Sequence, residues 1–314
     1  MLNIGVIGAG IISGRHFKAI AAHNDTRLAA VADIDRQKAL KAAEEYGAEA
    51  FDDYGEMLSR CRLDAVVINL PHALHESCAV YCAQKGVHVF LEKPMSISFD
   101  SCLRIIDACR ENGVLLQIGH VQGYDRYNRT AKAVIDSGKL GRLVMLTDRR
   151  SADYFTSSRP RWFLSKQTAG GGIWLNYGAH ALDKLCYLTS SRIRSISGQC
   201  TYPEGLDVDG SAQALAVTEN GVSASISICG YKVSPFHETH IYLTEGEILL
   251  RPFESVQVKA ADDEEFKPVA PIDCPDAFAS QWADFVSGIK QGRILRCGGE
   301  YGAHIIKFVE QLWE

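Results

Sequence analysis

The sequence predicts an α/β protein of two domains: a doubly wound parallel sheet over residues 1–120, then an α+β domain with a mostly antiparallel sheet over residues 121–314. Three observations predict it. The first 120 residues alternate short apolar runs with helical spacing, the pattern of parallel strands covered by helices on both faces. From Ile193 to Val258 strand follows strand, with turn signals such as ENGV and TEGE at short intervals, as antiparallel hairpins require. At 314 residues the chain is too long for one ordinary core and suits two.

In chain order, the runs Leu2 to Ile7, Leu28 to Ala32, Ala65 to Ile68, Val87 to Leu91 and Val114 to Ile118 are apolar throughout most of their length and read as buried parallel strands. Between them, Gly14 to Ala22, Arg36 to Tyr46, His75 to Lys85 and Phe99 to Asn112 carry helical spacing. The rhythm changes near Gly119. A helix over Asp125 to Ser137 precedes a turn and strand in GKLGRLVMLTDRRS, and a Gly-rich entry opens another helix in GGGIWLNYGAHALDKLCYL. Helical patterns over Asp276 to Ile289 and Glu300 to Trp313 close the chain, the last one expected to be able to pack back on the first domain.

Composition narrows the function classes. Thirty-three basic against 38 acidic side chains leave a net charge of −5 with no basic cluster, which argues against nucleic acid. No apolar run approaches a membrane span, and MLNIGVIGAG enters a strand without the features of a signal peptide, so a cytoplasmic protein with no membrane partner is expected. Ten cysteines, from Cys61 to Cys297, contain no CxxC and read as reduced thiols, with Cys78 and Cys82 as small buried hydrophobes.

Chemistry concentrates at strand ends. In IGVIGAGIISGRHF, Gly8 and Gly10 stand between the first strand and a helix, the spacing that brings a pyrophosphate against a helix N-terminus, and Ile11 and Ile12 are expected beside the same cofactor. Asp33 ends the second strand 23 residues beyond Gly10, where a carboxylate accepts ribose hydroxyls and repels a 2′-phosphate. NAD is therefore the expected cofactor, with NADP disfavoured although Arg36 lies near. Asn69, Leu70, Pro71, His72 and His75 follow the strand at Ala65 to Ile68 and are expected along the same cofactor. His72 and His75 are spaced by three but lack a third ligand, so no metal is expected. The strand at Val87 to Leu91 ends abruptly in Glu92, Lys93 and Pro94, and its Lys93–Pro94 bond is a candidate cis peptide.

A second polar group lies on the helix after Gly172. That helix is apolar nearly all round, yet Asn176, His180 and Asp183 fall at spacings of four and three, on one stripe. Buried polar groups must be satisfied or used. Either Asp183 orients His180 in a structural network, or the stripe does chemistry.

With these residues assembled, the chain resembles the glucose–fructose oxidoreductase / inositol dehydrogenase / MocA (Gfo/Idh/MocA) family over essentially its whole length, through GVIGAGIISGRH, NLPHALHE, LEKP, SGKLG and GGGIWLNYGAHALD in the family's order. The resemblance implies a Rossmann domain, a C-terminal domain on a large open sheet that serves as an interface of a homodimer or homotetramer, and a ligand cleft between the domains. It implies that Lys93 contacts the reacting oxygen near the nicotinamide and that His180 is the general acid/base. Imidazole has a suitable pKa to take the hydroxyl proton as hydride leaves, and an ammonium stabilises a developing negative oxygen. Glu92 is expected to fix that lysine or the cofactor loop, and Gln122 to touch the cofactor.

Two departures stand out. Asn176 occupies a position where many members have Asp, and an amide cannot carry a proton. Gly123, Tyr124 and Arg126 replace the family's Arg–aromatic pattern. In SADYFTSSRPRWFLSKQTAGGG, Tyr154, Arg161 and Trp162 are expected to contact a substrate together with Lys93, Asn176 and His180, or to be part of a covering loop. The expected activity is hydride transfer between nicotinamide and a secondary alcohol or ketone of a polyol, sugar or sugar derivative. The alternatives are a non-catalytic NAD-binding regulator of the same fold, and a glycosidase-like enzyme using NAD for oxidation followed by elimination.

Overall fold

In the computed structural model, which describes residues 1–313, the chain forms two compact units. One comprises Met1–His120 with Ala277–His304; the other comprises Val121–Asp276 with the residues from Ile305.

The first unit is built on β1 (Leu2–Ile7), β2 (Thr26–Ala32), β3 (Glu49–Phe51), β4 (Ala65–Ile68), β5 (His88–Leu91) and β6 (Leu116–Ile118). These six strands pair in parallel in the order β3-β2-β1-β4-β5-β6, the doubly wound order of dinucleotide-binding sheets. The crossovers are α1 (Ser13–Ala22), α2 (Arg36–Tyr46), α3 (Tyr54–Arg60), α4 (His75–Gln84) and α5 (Phe99–Glu111). Helix α1 buries Ser13, His16, Phe17 and Ile20, one face at helical spacing. Helix α2 is capped by Asp35, which accepts from the Gln37 amide, and ends at Gly47 in the left-handed region. Strand β3 and helix α3 are additions to the elements the sequence predicts. Cys78 and Cys82 are buried on α4 as small apolar groups.

The second unit opens with a 3₁₀ turn at Gln122–Tyr124 and α6 (Arg126–Asp136), followed by β7 (Leu143–Ser151) and the short α7 (Lys166–Ala169). A π-helical turn at Trp174–Gly178 runs directly into α8 (Ala179–Thr189). Then come β8 (Ile193–Thr201), β9 (Ser211–Thr218), β10 (Ser223–Cys229), β11 (Phe236–Leu243), β12 (Gly246–Arg251), β13 (Ser255–Ala260) and β14 (Lys267–Val269). All eight strands lie in one sheet, ordered β14-β13-β12-β11-β7-β10-β9-β8. Only β7 and β10 pair in parallel, so the sheet is mostly antiparallel, as the turn signals predict. One face buries Leu146, Ala214, Ile226, Ile241 and Leu250, while the other shows Met145, Gln213 and Leu215.

Two helices close the chain, α9 (Ala277–Gln291) and α10 (Gly299–Glu310). Residues 277–304, which the sequence division leaves in the second domain, pack in the first unit. The reason is apolar: Trp282, Phe285 and Val286 join Phe17, Ile20 and Phe90 in that unit's core, and the Trp282 indole N–H donates to Thr26 Oγ1 at 3.3 Å.

Candidate active site

In the first unit, Gly8 has φ +92° and a Cβ there would lie 2.6 Å from the Asn69 carbonyl oxygen, so glycine is required by both conformation and space. Around Gly10 nothing would meet a Cβ within 4 Å. Helix α1 begins just beyond, with no side-chain cap and no acidic residue in its first turn, which leaves its N-terminal dipole open to an anion. Ile11 and Ile34 flank this opening at 91% and 95% exposure, and Ile12 is also exposed. Asp33 accepts from the Ala9 amide through Oδ2 at 2.7 Å and from the Asp35 amide through Oδ1 at 2.8 Å, which holds the carboxylate beside the glycine loop. Asn69 donates to Ser13 Oγ at 3.0 Å, and its buried Oδ1 has no protein partner. Arg36 is turned to Asp52 at 3.2 Å. Open glycine backbone, a bare helix end, a fixed carboxylate and an unpartnered amide oxygen together fit a dinucleotide.

Leu70 and Pro71 are half-buried at the end of β4, whereas His72 and His75 are buried. The His75 ring lies between carbonyl oxygens, Nδ1 3.0 Å from that of Pro94 and Nε2 2.9 Å from that of Leu70. Burial pulls its pKa below the usual histidine value even though both carbonyls favour a protonated ring. His75, expected along the cofactor, is thus a buried strap between the loop after β4 and the turn after β5.

That turn carries Lys93. The Lys93–Pro94 bond is cis. Glu92 is buried, 2.7 Å from His16 Nε2, and its Oε2 accepts from the Lys93 main-chain N–H at 3.0 Å. Burial raises the Glu92 pKa, but the His16 hydrogen bond and charge and the Lys93 ammonium outweigh it, and the carboxyl is held below its usual range. Glu92 therefore braces the corner from inside. His16 went unnoticed in the sequence, although its place on the buried face of α1, three residues after Ser13, was a usable signal.

In the second unit, Asp209 receives the Gly172 and Trp174 amides at 2.8 and 2.6 Å, supplying the start of the π turn with a carboxylate from elsewhere in the chain. A Cβ on Gly172 would lie 2.0 Å from the Asp209 carbonyl oxygen, hence the glycine. The wide turn carries Asn176, and the α-helix that continues it carries His180 and Asp183. Asn176 donates to the Tyr154 hydroxyl at 3.4 Å, while His180 and Asp183 converge on Gln122: Gln122 Nε2 lies 3.3 Å from His180 Nδ1, and Asp183 Oδ2 accepts the Gln122 main-chain N–H at 3.0 Å. Asp183 thus orients His180 through Gln122. This also places Gln122, expected on the cofactor, against the imidazole.

Tyr154, expected to wall a substrate, is fully buried under Arg159, whose guanidinium stands 3.8 Å from the ring centre. Burial pushes its phenol up to about 12. An aromatic ring in a loop beside a core is drawn inward by its own apolar area. Arg161 is exposed, and Trp162 is half-buried and stacked on Phe163 at 3.7 Å. Behind α8 lies a cluster the sequence reading did not single out. Lys184 Nζ contacts Asp148 Oδ1 at 2.6 Å, Thr239 Oγ1 at 2.7 Å and His237 Nε2 at 3.1 Å, all beneath the helix. Among the described residues no group of three or more His, Cys, Asp or Glu side chains is arranged to hold a metal, and no helix is long and apolar enough to cross a membrane.

Comparison with known proteins matches this geometry. Residues 2–120 match the model of the GFO/IDH/MocA oxidoreductase family with an NAD-binding Rossmann fold, and residues 128–249 match the GFO/IDH/MocA C-terminal domain. An inositol 2-dehydrogenase 2 of Saccharopolyspora erythraea is 31% identical over 72% of this chain and 66% of its own length. The matches span 50–66% of the length of the first curated relatives. Two solved structures share the fold: an aldose–aldose oxidoreductase of Caulobacter crescentus complexed with glycerol (TM-score 0.89, 21% identity, 99% of this chain and 96% of that one) and a levoglucosan dehydrogenase in complex with NADH (TM-score 0.88, 20% identity, 99% and 96%).

Proposed function

The chain belongs to the Gfo/Idh/MocA family of oxidoreductases, and from that premise we propose that it is an NAD-dependent dehydrogenase acting on a secondary alcohol or ketone of a polyol, sugar or sugar derivative. The observation that carries the reading is a row of strand ends. Gly8 and Gly10 after β1, Asp33 after β2, Asn69 after β4 and Lys93 after β5 all follow the carboxyl ends of neighbouring parallel strands, where doubly wound sheets bind ligands. Asp33 and the engagement of Arg36 by Asp52 favour NAD over NADP.

The bound nicotinamide supplies the hydride acceptor or donor. Lys93 stabilises the reacting oxygen by a charge-assisted hydrogen bond, and His180 is the general acid/base on that oxygen. Asn176 contributes an amide that orients by hydrogen bonding and carries no proton. Names among the relatives, inositol 2-dehydrogenase and levoglucosan dehydrogenase, support a carbohydrate or polyol substrate. The outer face of the second sheet, with Met145 and Leu215 exposed, is the proposed contact of a homodimer or homotetramer, and the cytoplasm the proposed compartment.

The test is NADH absorbance over a panel of inositols, aldoses, sugar phosphates and nucleotide sugars. Turnover on one class, lost in both Lys93→Ala and His180→Ala, supports the reading; turnover intact in both variants overturns it. Asn176 in place of an acid favours a regulator as the second reading, which predicts cofactor binding with no turnover across the panel. Bound cofactor that co-purifies and is regenerated within each cycle would indicate oxidation followed by elimination.

A further inference from the structure

We propose that Gln122, locked by Asn128, fixes the neutral imidazole of His180 with its proton on Nε2. One terminal atom of the Asn128 side chain lies 3.0 Å from the Gln122 main-chain carbonyl oxygen, which can only accept, so that atom is the nitrogen Nδ2. The same nitrogen lies 2.9 Å from the end of the Gln122 side chain. An amide nitrogen donates and does not accept, so the Gln122 atom there is Oε1. The other end, Nε2, therefore faces His180 Nδ1 at 3.3 Å, and Nδ1 must offer its lone pair. A neutral ring with an accepting Nδ1 carries its hydrogen on Nε2.

The clamp is rigid. Gln122 is held by its main-chain N–H on Asp183 as well as by Asn128. Asn128 is buried in the first turn of α6, where the Asp125 carboxylate accepts the Tyr127 and Asn128 amides at 3.0 Å each. Turning the Gln122 amide over would break its bond with Asn128 and set Oε1 against Nδ1.

What this means for chemistry rests on the dehydrogenase reading. The resting imidazole meets a substrate oxygen as a hydrogen-bond donor through Nε2, which suits a carbonyl. Accepting a hydroxyl proton at Nε2 requires the ring hydrogen on Nδ1, opposed by the Gln122 N–H. Gln122 is thus a positioning residue that selects the form of His180 that binds the ketone; protonating the reduced oxygen requires a second proton on the ring, at Nδ1, which displaces the Gln122 N–H.

The experiment is ¹⁵N NMR on the full chain labelled at histidine, with the His180 signals identified by difference from His180→Gln. The expected result is a pyridine-type shift at Nδ1 and a pyrrole-type shift at Nε2 while the ring is neutral. Gln122→Glu puts an acceptor against Nδ1. Asn128→Asp, which is isosteric, accepts from Gln122 Nε2 and turns Oε1 toward the ring. Each should reverse the tautomer ratio by roughly tenfold or more, the weight of one hydrogen bond. A pyrrole-type Nδ1 in the unmodified protein overturns the proposal without any variant, as do folded variants that leave both shifts in place. Failure of the substrate panel would remove the dehydrogenase reading and leave these shifts unchanged, so the two outcomes separate.

Discussion

Each unit buries a carboxylate, and the two are used differently. Glu92 in the first unit and Asp148 in the second are both held below the ordinary carboxylate range, because neighbouring hydrogen bonds and charges outweigh burial. Glu92 is met by the His16 ring and by the main-chain N–H of Lys93, whose side chain is half-buried at the strand end and whose ammonium helps hold the carboxyl low. Asp148 instead consumes its cation: Lys184 is 2% exposed and bonded to Asp148 and Thr239, which themselves pair across β7 and β11. The first arrangement braces a strand end from behind; the second spends a cation to pin α8 onto the sheet. The two look alike in a count of charges, and only the partners tell them apart.

Removing the cation is the strongest way to test that difference. Lys184→Met strands the Asp148 carboxylate in the core and should cost about 3–5 kcal/mol in urea unfolding, with much of it restored by adding Asp148→Asn. A double variant no more stable than the single one would mean the pair is not the anchor. Lys93→Ala should do the reverse. Stability should change by less than about 1 kcal/mol, while turnover falls roughly 10²–10³-fold, as when one stabiliser of a developing oxyanion is lost. A comparable loss of stability would place Lys93 in the structural class.

Glu92→Gln falls between them, with a loss of about 1–3 kcal/mol from the weakened His16 contact. Both carboxylates also set an acid limit. Their folded-state pKa values are depressed, so their stabilisation is complete above the unfolded values near pH 4 and is lost as pH falls through the folded ones. Urea midpoints measured from pH 6 downward should drop below about pH 4, and the drop should shrink in Glu92→Gln and in the Lys184→Met, Asp148→Asn pair. The smallest effect is expected for Tyr154→Phe, whose hydroxyl makes only long contacts of 3.4 and 3.5 Å, with a loss below about 1 kcal/mol. A larger loss would show that the Asn176 contact matters more than its length implies.

Much of this was legible in the sequence where cause and effect are local. The apolar runs gave five of the six parallel strands, since buried parallel strands are apolar on both faces. Gly8, Asp33 and Lys93 stand out in the sequence because each lies within two residues of the end of its strand. β3 and α3 were not, being three and seven residues long, too short for a periodic signal. The helix that carries Asn176, His180 and Asp183 was legible from its apolar spacing, but the π turn at its start was not, since no residue type marks one. Tyr154 illustrates a different limit: an aromatic side chain in a loop carries no mark of which way it turns. Lys184 did leave a trace, because a lysine inside an otherwise apolar helix requires a buried partner, but that partner lay on strands 36 and 55 positions away.

The indole of Trp282 reaches a hydroxyl on Thr26, 256 positions earlier in the chain. During synthesis the parallel sheet emerges from the ribosome long before the helix that completes its core. Until α9 arrives, the side of the sheet that Trp282, Phe285 and Val286 will cover stays wet or in the keeping of a chaperone. Expression of residues 1–120 by themselves should accordingly yield an aggregating product, whereas supplying residues 277–304 as a fused segment should recover a soluble nucleotide-binding piece.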